Sequence, residues 1–173
     1  MKTTDLTRIA LMTAVLCILA PISIPVPVSS IAMSLATFAI YLMAYILKPR
    51  QSLAAIGLYL LLGAAGLPVF SGYMAGISRF AAPGGGYLMG YLFLAGISSL
   101  FIHRSAKIPV QMTGILLGTL AMYSIGTYWL AVSTGISFLD ALPAGMLTFL
   151  PFDLIKIILA TYIGRKIQLH IKK

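Results

Sequence analysis

The sequence predicts an all-α integral membrane protein of six transmembrane helices with both termini in the cytoplasm. Three observations predict it. Apolar residues make up 60% of the chain and charged residues only 9%, where a soluble domain carries about a quarter charged residues. The apolar stretches approach the ~20 residues needed to cross a bilayer and are divided by proline, glycine or basic turns. Lys and Arg also fall on alternate turns. A chain of 173 residues has room for six or seven such spans with short loops, so a single transmembrane domain, residues 1–173, is expected.

The first segment joins a basic start to an apolar run from Ile9, a pattern shared by signal peptides and first spans. Pro21 directly after Ala20 makes a poor cleavage site, so a first span is expected over about Thr4–Ala20. Pro21, Pro25 and Pro27 remove amide donors and push their preceding residues towards extended geometry. They separate that span from a second, about Ser29–Leu47, which ends at Lys48-Pro49-Arg50. A third begins near Gln51 and weakens at Gly63-Ala64-Ala65-Gly66-Leu67-Pro68. A loop to Pro83 precedes a fourth span over about Gly85–Ile102. Pro109 suits the first turn of a fifth, reaching about Leu130. Ser133 to Pro143 reads as a loop, Gly145–Leu150 is short and apolar, and the sixth span is expected over about Pro151–Ile171. The connection of roughly 20 residues between the last two spans is long enough to predict a lid or binding loop.

Orientation follows from the twelve Lys and Arg, because cytoplasmic loops carry the excess. With the amino terminus inside, Lys2, Arg8, Lys48, Arg50, Arg104, Lys107, Arg165, Lys166, Lys172 and Lys173 share one face. Arg79, in the outer loop, and Lys156, inside the last span, do not. Pairs of basic residues between apolar runs explain the net charge of +9 as topology, so no nucleic-acid partner is expected. Cys17 has no second cysteine to pair with.

The two exceptional cations point to chemistry. Lys156 follows Asp153 by three residues, placing both on one helix face, and a charge within a span must be paired or face a cavity. The pair reads either as a structural lock or as the mouth of a solute site, with Lys156 receiving an anionic group and Asp153 accepting hydrogen bonds. Arg79 reads as a solvated loop residue or as a second anion contact. Gly84, Gly85 and Gly86 open the fourth span with unhindered amides, suited to an anion, a close-packed ring or a tight turn. Small residues at Ala10 and Ala14 permit close helix approach. The chain has no Glu and no P-loop sequence, so metalloprotease and P-loop ATPase chemistry are excluded. No enzyme activity, metal or cofactor is expected.

The runs Gly66-Leu67-Pro68-Val69-Phe70-Ser71-Gly72, Pro83-Gly84-Gly85-Gly86-Tyr87-Leu88-Met89-Gly90-Tyr91, and Pro151-Phe152-Asp153-Leu154-Ile155-Lys156 after Gly145 resemble the BioY family. Its members are biotin-binding substrate-capture (S) components of energy-coupling factor (ECF) transporters. The resemblance implies an S-component fold in a prokaryotic plasma membrane, with biotin bound near the outer surface and released inside with an ATP-driven partner. It implies a ligand site at Asp153, Lys156 and the Phe70–Gly90 region. It further implies a coupling transmembrane subunit, docked on Ala10 and Ala14, and two ATPase subunits. Toward biotin, walls are expected from Phe70, Tyr87, Tyr41, Tyr128 and Trp129. Asp153 and glycine-rich backbone suit the ureido group, and Lys156 or Arg79 the carboxylate. The opposite placement, with the carboxylate at the glycine-rich helix start, stays open. The family's usual Pro-Thr-Gly-Gly-Tyr is Pro83-Gly84-Gly85-Gly86-Tyr87 here, its glycine before the aspartate is Phe152, and the chain has no Asn. A second expectation is therefore an S component for another small carboxylated vitamin.

Overall fold

Proline and glycine placement decides where the helices stop. The computed structural model describes residues 3–27, 29 and 31–171; Lys2, Lys172 and Lys173 of the charge pattern lie outside the described residues. Helix α1 (Thr3–Leu19) ends before Pro21, and the chain continues extended as β1 (Ser23–Ile24). This pairs antiparallel with β2 (Met33–Ser34), Ser23 opposite Ser34 and Ile24 opposite Met33.

Helix α2 (Ala36–Ile46) therefore starts later than the expected Ser29. Met33 and Ser34 pair with β1, and the Leu35 amide donates to the Ile22 carbonyl at 3.1 Å, so these backbone groups are satisfied outside a helix. At 11 residues, α2 is ~16 Å long at 1.5 Å per residue, about half a bilayer core. Ala39, Ile40, Tyr41, Met43 and Ala44 are all fully buried, and α2 packs against α1, α3 (Pro49–Ala64), α5 (Gly85–Arg104) and α8 (Leu150–Ile171). An apolar helix enclosed on all sides is what its sequence asks for.

Between α3 and α5 the chain makes one turn of 3₁₀ helix at Ser71–Tyr73 and a short α4 (Ser78–Ala81). Gly72 sits at φ +72°, a left-handed conformation open to glycine, and its amide donates to the Pro21 carbonyl at 3.1 Å. That bond ties the loop carrying Arg79 to the end of α1.

Helices α5 and α6 (Ile108–Thr134) form a hairpin closed by glycine. A methyl group on Gly86, Gly114 or Gly126 would overlap Trp129, Phe101 or Tyr87 respectively, and one on Gly90 would lie 2.9 Å from the Met122 side chain. Close approach of this kind is the established use of small residues between membrane helices.

The expected irregular loop over Ser133–Pro143 is replaced by helix. Helix α6 runs to Thr134 and is stopped by Gly135 at φ +73°, a common C-terminal cap. Ser137 then caps α7 (Phe138–Leu142), accepting from the Asp140 amide at 3.2 Å, and a π-type turn at Pro143–Leu147 leads into α8 with a bend of 40°. Turn residues such as Gly and Pro suggested a loop, but Ser137 supplies a helix start and Pro143 fits a first turn. By length and composition α5 and α6 are each able to cross a membrane, and the bent α7–α8 pair meets the same requirement when its two parts are taken together. With α1, α2 and α3 they make six helices of more than ten residues among the described residues.

Candidate functional site

Side chains from α2, α5, α6 and α8 meet against β2 around a cavity with two adjoining lobes. The inner lobe, about 50 Å³, is lined by Ser34, Thr37, Tyr123, Phe149, Asp153 and Lys156. The outer lobe, about 350 Å³, is lined by Phe70, Ser71, Arg79, Pro83 and Gly84, a size within the usual range for small-molecule sites. Ile31, Ala32, Ser34, Tyr87 and Tyr91 line both, so the two adjoin along these side chains.

The inner lobe ends in a closed polar network. Asp153, in the first turn of α8 and 2% exposed, binds Lys156 Nζ through Oδ1 at 2.9 Å. The same oxygen accepts from Thr37 Oγ1 at 2.9 Å, and Oδ2 accepts from Tyr123 Oη at 2.7 Å. Lys156 Nζ also donates to the Ser34 carbonyl at 2.8 Å and to Thr37 Oγ1 at 3.1 Å. An ammonium has three protons, and three acceptors surround this one. The late start of α2 makes this possible, because it leaves Ser34 extended with its carbonyl available to the lysine. A buried carboxylate and ammonium satisfied this way add no net charge to the bundle, which is how ionisable groups persist within membranes.

The outer lobe differs. The Arg79 guanidinium has five N–H donors and makes no hydrogen bond among the described residues. The Ser71 hydroxyl in the same wall is buried and equally without a partner. Phe70, 2% exposed, forms part of that wall and stacks edge-on against Tyr59 and Phe80, with ring centroids 5.6 and 5.8 Å away. The Tyr87 ring packs edge-on against Tyr123, its hydroxyl donating to the Gly145 carbonyl in the π-type turn at 2.7 Å.

The expected site residues divide accordingly. Asp153, Lys156, Arg79, Tyr87, Phe70 and Gly84 line the cavity. Gly85 and Gly86 do not: they are packing positions, with the Phe80 backbone and Trp129 where a side chain would stand. Tyr41 is buried behind the site, its hydroxyl 3.0 Å from Thr119 Oγ1. Trp129 is a brace and not a wall, donating from Nε1 to the Ala82 carbonyl at 3.0 Å, and Tyr128 faces outward. Ala10 and Ala14 lie exposed on α1 beside Leu11 and Ile18. Ser34, Thr37, Tyr91 and Tyr123 are additions. The clue was present, since a buried carboxylate needs donors and hydroxyls within apolar spans are the available ones. Among the described residues no group of three or more His, Cys, Asp or Glu gathers to hold a metal ion.

The family model described as the BioY family matches residues 1–173. A protein of Lactococcus lactis subsp. cremoris named "Biotin transporter BioY2" is 38% identical over 165 residues, covering 94% of this chain and 89% of that protein. A "Probable biotin transporter BioY" of Pyrococcus horikoshii is 32% identical over 168 residues, covering 97% and 98%. The crystal structure of an S-component for biotin from an ECF-type ABC transporter superposes with a TM-score of 0.89 at 30% identity, covering 97% of this chain and 94% of that one.

Proposed function

This chain belongs to the BioY family, and we propose that it is the biotin-capturing S component of an ECF-type ATP-driven transporter in a prokaryotic plasma membrane. One observation carries the reading. Two adjoining lobes place a polar end built on Asp153 beside an outer end where Arg79 and Ser71 hold donors unused among the described residues. Biotin has matching ends: a ureido group that donates twice and accepts once, an apolar bicyclic body, and a carboxylate on a flexible chain.

In the proposed pose the carboxylate meets the Arg79 guanidinium and the Ser71 hydroxyl, a charge-assisted arrangement stronger than a neutral hydrogen bond. The bicyclic body lies between Tyr87 and Tyr91. The ureido N–H groups turn toward Asp153 and the ureido oxygen toward Lys156. Because Asp153 and Lys156 are already paired within the protein, the ligand exchanges hydrogen bonds there and never leaves a bare buried charge, which would cost several kcal/mol.

The chain is assigned no enzymatic step and no cofactor. ATP hydrolysis falls to two ATPase subunits, coupled through a transmembrane subunit that meets the exposed Ala10–Ala14 face of α1. The test is mass spectrometry of small molecules retained by the purified chain, followed by competition of other carboxylated vitamins against labelled biotin. Retention of biotin with no displacement by the others supports the reading. A folded protein that releases biotin freely, or prefers another vitamin, overturns it.

A further inference from the structure

Two further hollows lie at the opposite, basic end of the bundle, where α6 begins and α8 approaches its end. They adjoin and share Arg165 and Leu169. One, about 360 Å³, is an apolar groove whose walls include Ile108, Met112 and Ile158, with Arg165 and Lys166 at its mouth. The other, about 140 Å³, contains Arg104, Gln111, Arg165 and Gln168.

Their polar groups are arranged for an anion. Arg165 is fixed through Nη1 alone, which donates to the Ala106 carbonyl at 3.1 Å and to Gln111 Oε1 at 3.0 Å; the rest of the guanidinium is left over. Gln168 Nε2 is buried and has no partner among the described residues, an unfavourable state that an acceptor would relieve. No carboxylate lines either hollow among the described residues; Asp5 lines a neighbouring hollow that shares His103 and Gln168, where Arg8 and Lys48 outnumber it.

A cationic hollow with an orphan donor, continuous with an apolar groove on the lipid-facing surface, is complementary to a molecule with a phosphate head and a hydrocarbon tail. We infer that this end binds one anionic phospholipid, its phosphate on Arg104, Arg165 and Gln168 and one acyl chain in the groove between α6 and α8. Basic pockets between helices on the cytoplasmic side suit such headgroups. A soluble phosphate would use only the smaller hollow.

The test uses the full chain in nanodiscs of equal phosphatidylglycerol and phosphatidylcholine, released into native mass spectrometry. One retained phosphatidylglycerol per chain is expected, favoured about tenfold or more over phosphatidylcholine. Arg104→Gln with Gln168→Leu lowers that retention about fivefold, the effect of one interfacial cation, with the unfolding midpoint unchanged. Ile158→Trp fills the groove on an exposed face and lowers retention without altering charge. Equal retention of the two lipids, retention indifferent to both variants, or displacement by glycerol phosphate as readily as by the lipid overturns the inference.

Discussion

The Tyr123 hydroxyl on α6 donates to Asp153 Oδ2 on α8 at 2.7 Å, joining the rigid hairpin to the bent helix at the innermost point of the cavity. It is the one hydrogen bond that Oδ2 receives among the described residues. Tyr123→Phe should leave that oxygen buried and unpaired, costing about 1.5–3 kcal/mol of stability. Denaturant or thermal unfolding of the purified protein measures it, and a loss within error would show that the bond is not made in the membrane.

Lys156→Ala should weaken biotin binding far more than Lys48→Ala, since Lys48 caps α3 at the basic end. Removing one member of a buried pair typically costs about 3–5 kcal/mol, so Lys156→Ala should also destabilise the fold. The double variant Asp153→Asn, Lys156→Met should recover part of that stability while still failing to bind. Unfolding and titration of labelled biotin, run on the same preparations, separate the two effects; equal binding by the two lysine variants would count against a ligand role for Lys156.

Arg79→Ala should leave the unfolding midpoint unchanged, because the guanidinium has no hydrogen-bond partner among the described residues to lose. Affinity for biotin should fall by about 1.5–3 kcal/mol, the range for hydrogen bonds to a charged group. Affinity for biotinamide, which lacks the carboxylate charge, should fall much less. A competition assay against both ligands reads the difference, and an equal drop for each would place the carboxylate elsewhere.

Gly126→Ala should destabilise by about 1–3 kcal/mol, the usual cost of overpacking, because its methyl would overlap the Tyr87 ring. Biotin affinity should fall with it as Tyr87 is pushed into the cavity. Gly84→Ala should be tolerated, having nothing within 4 Å of the added carbon. A Gly84→Ala variant that unfolds early would contradict this packing.

The span pattern was legible because charge and proline act locally: Pro21 stops α1 and Pro49 starts α3 just where steric rules place them. Asp153, Lys156 and Arg79 were legible because charges are rare in this chain. What escaped depends on distant partners. Nothing near Met33 announces that it will pair with Ile24, so the shortened α2 was hidden. Thr37 and Tyr123 look like ordinary polar residues in apolar runs until α8 brings Asp153 between them. Trp129 and Gly86 fall outside the cavity lining for the same reason: each packs against the other across the hairpin.

The glycine contacts between α5 and α6 carry a mechanical consequence. Two backbones held that close cannot slide without driving Trp129, Met122 or Tyr87 into the opposing chain, and splaying would forfeit those contacts, so the hairpin behaves as a stiff beam. Two motions leave this beam intact: a swing of α8 at its bend, which would take Asp153 and Lys156 away from Thr37, and a tilt of the whole body with its walls unchanged.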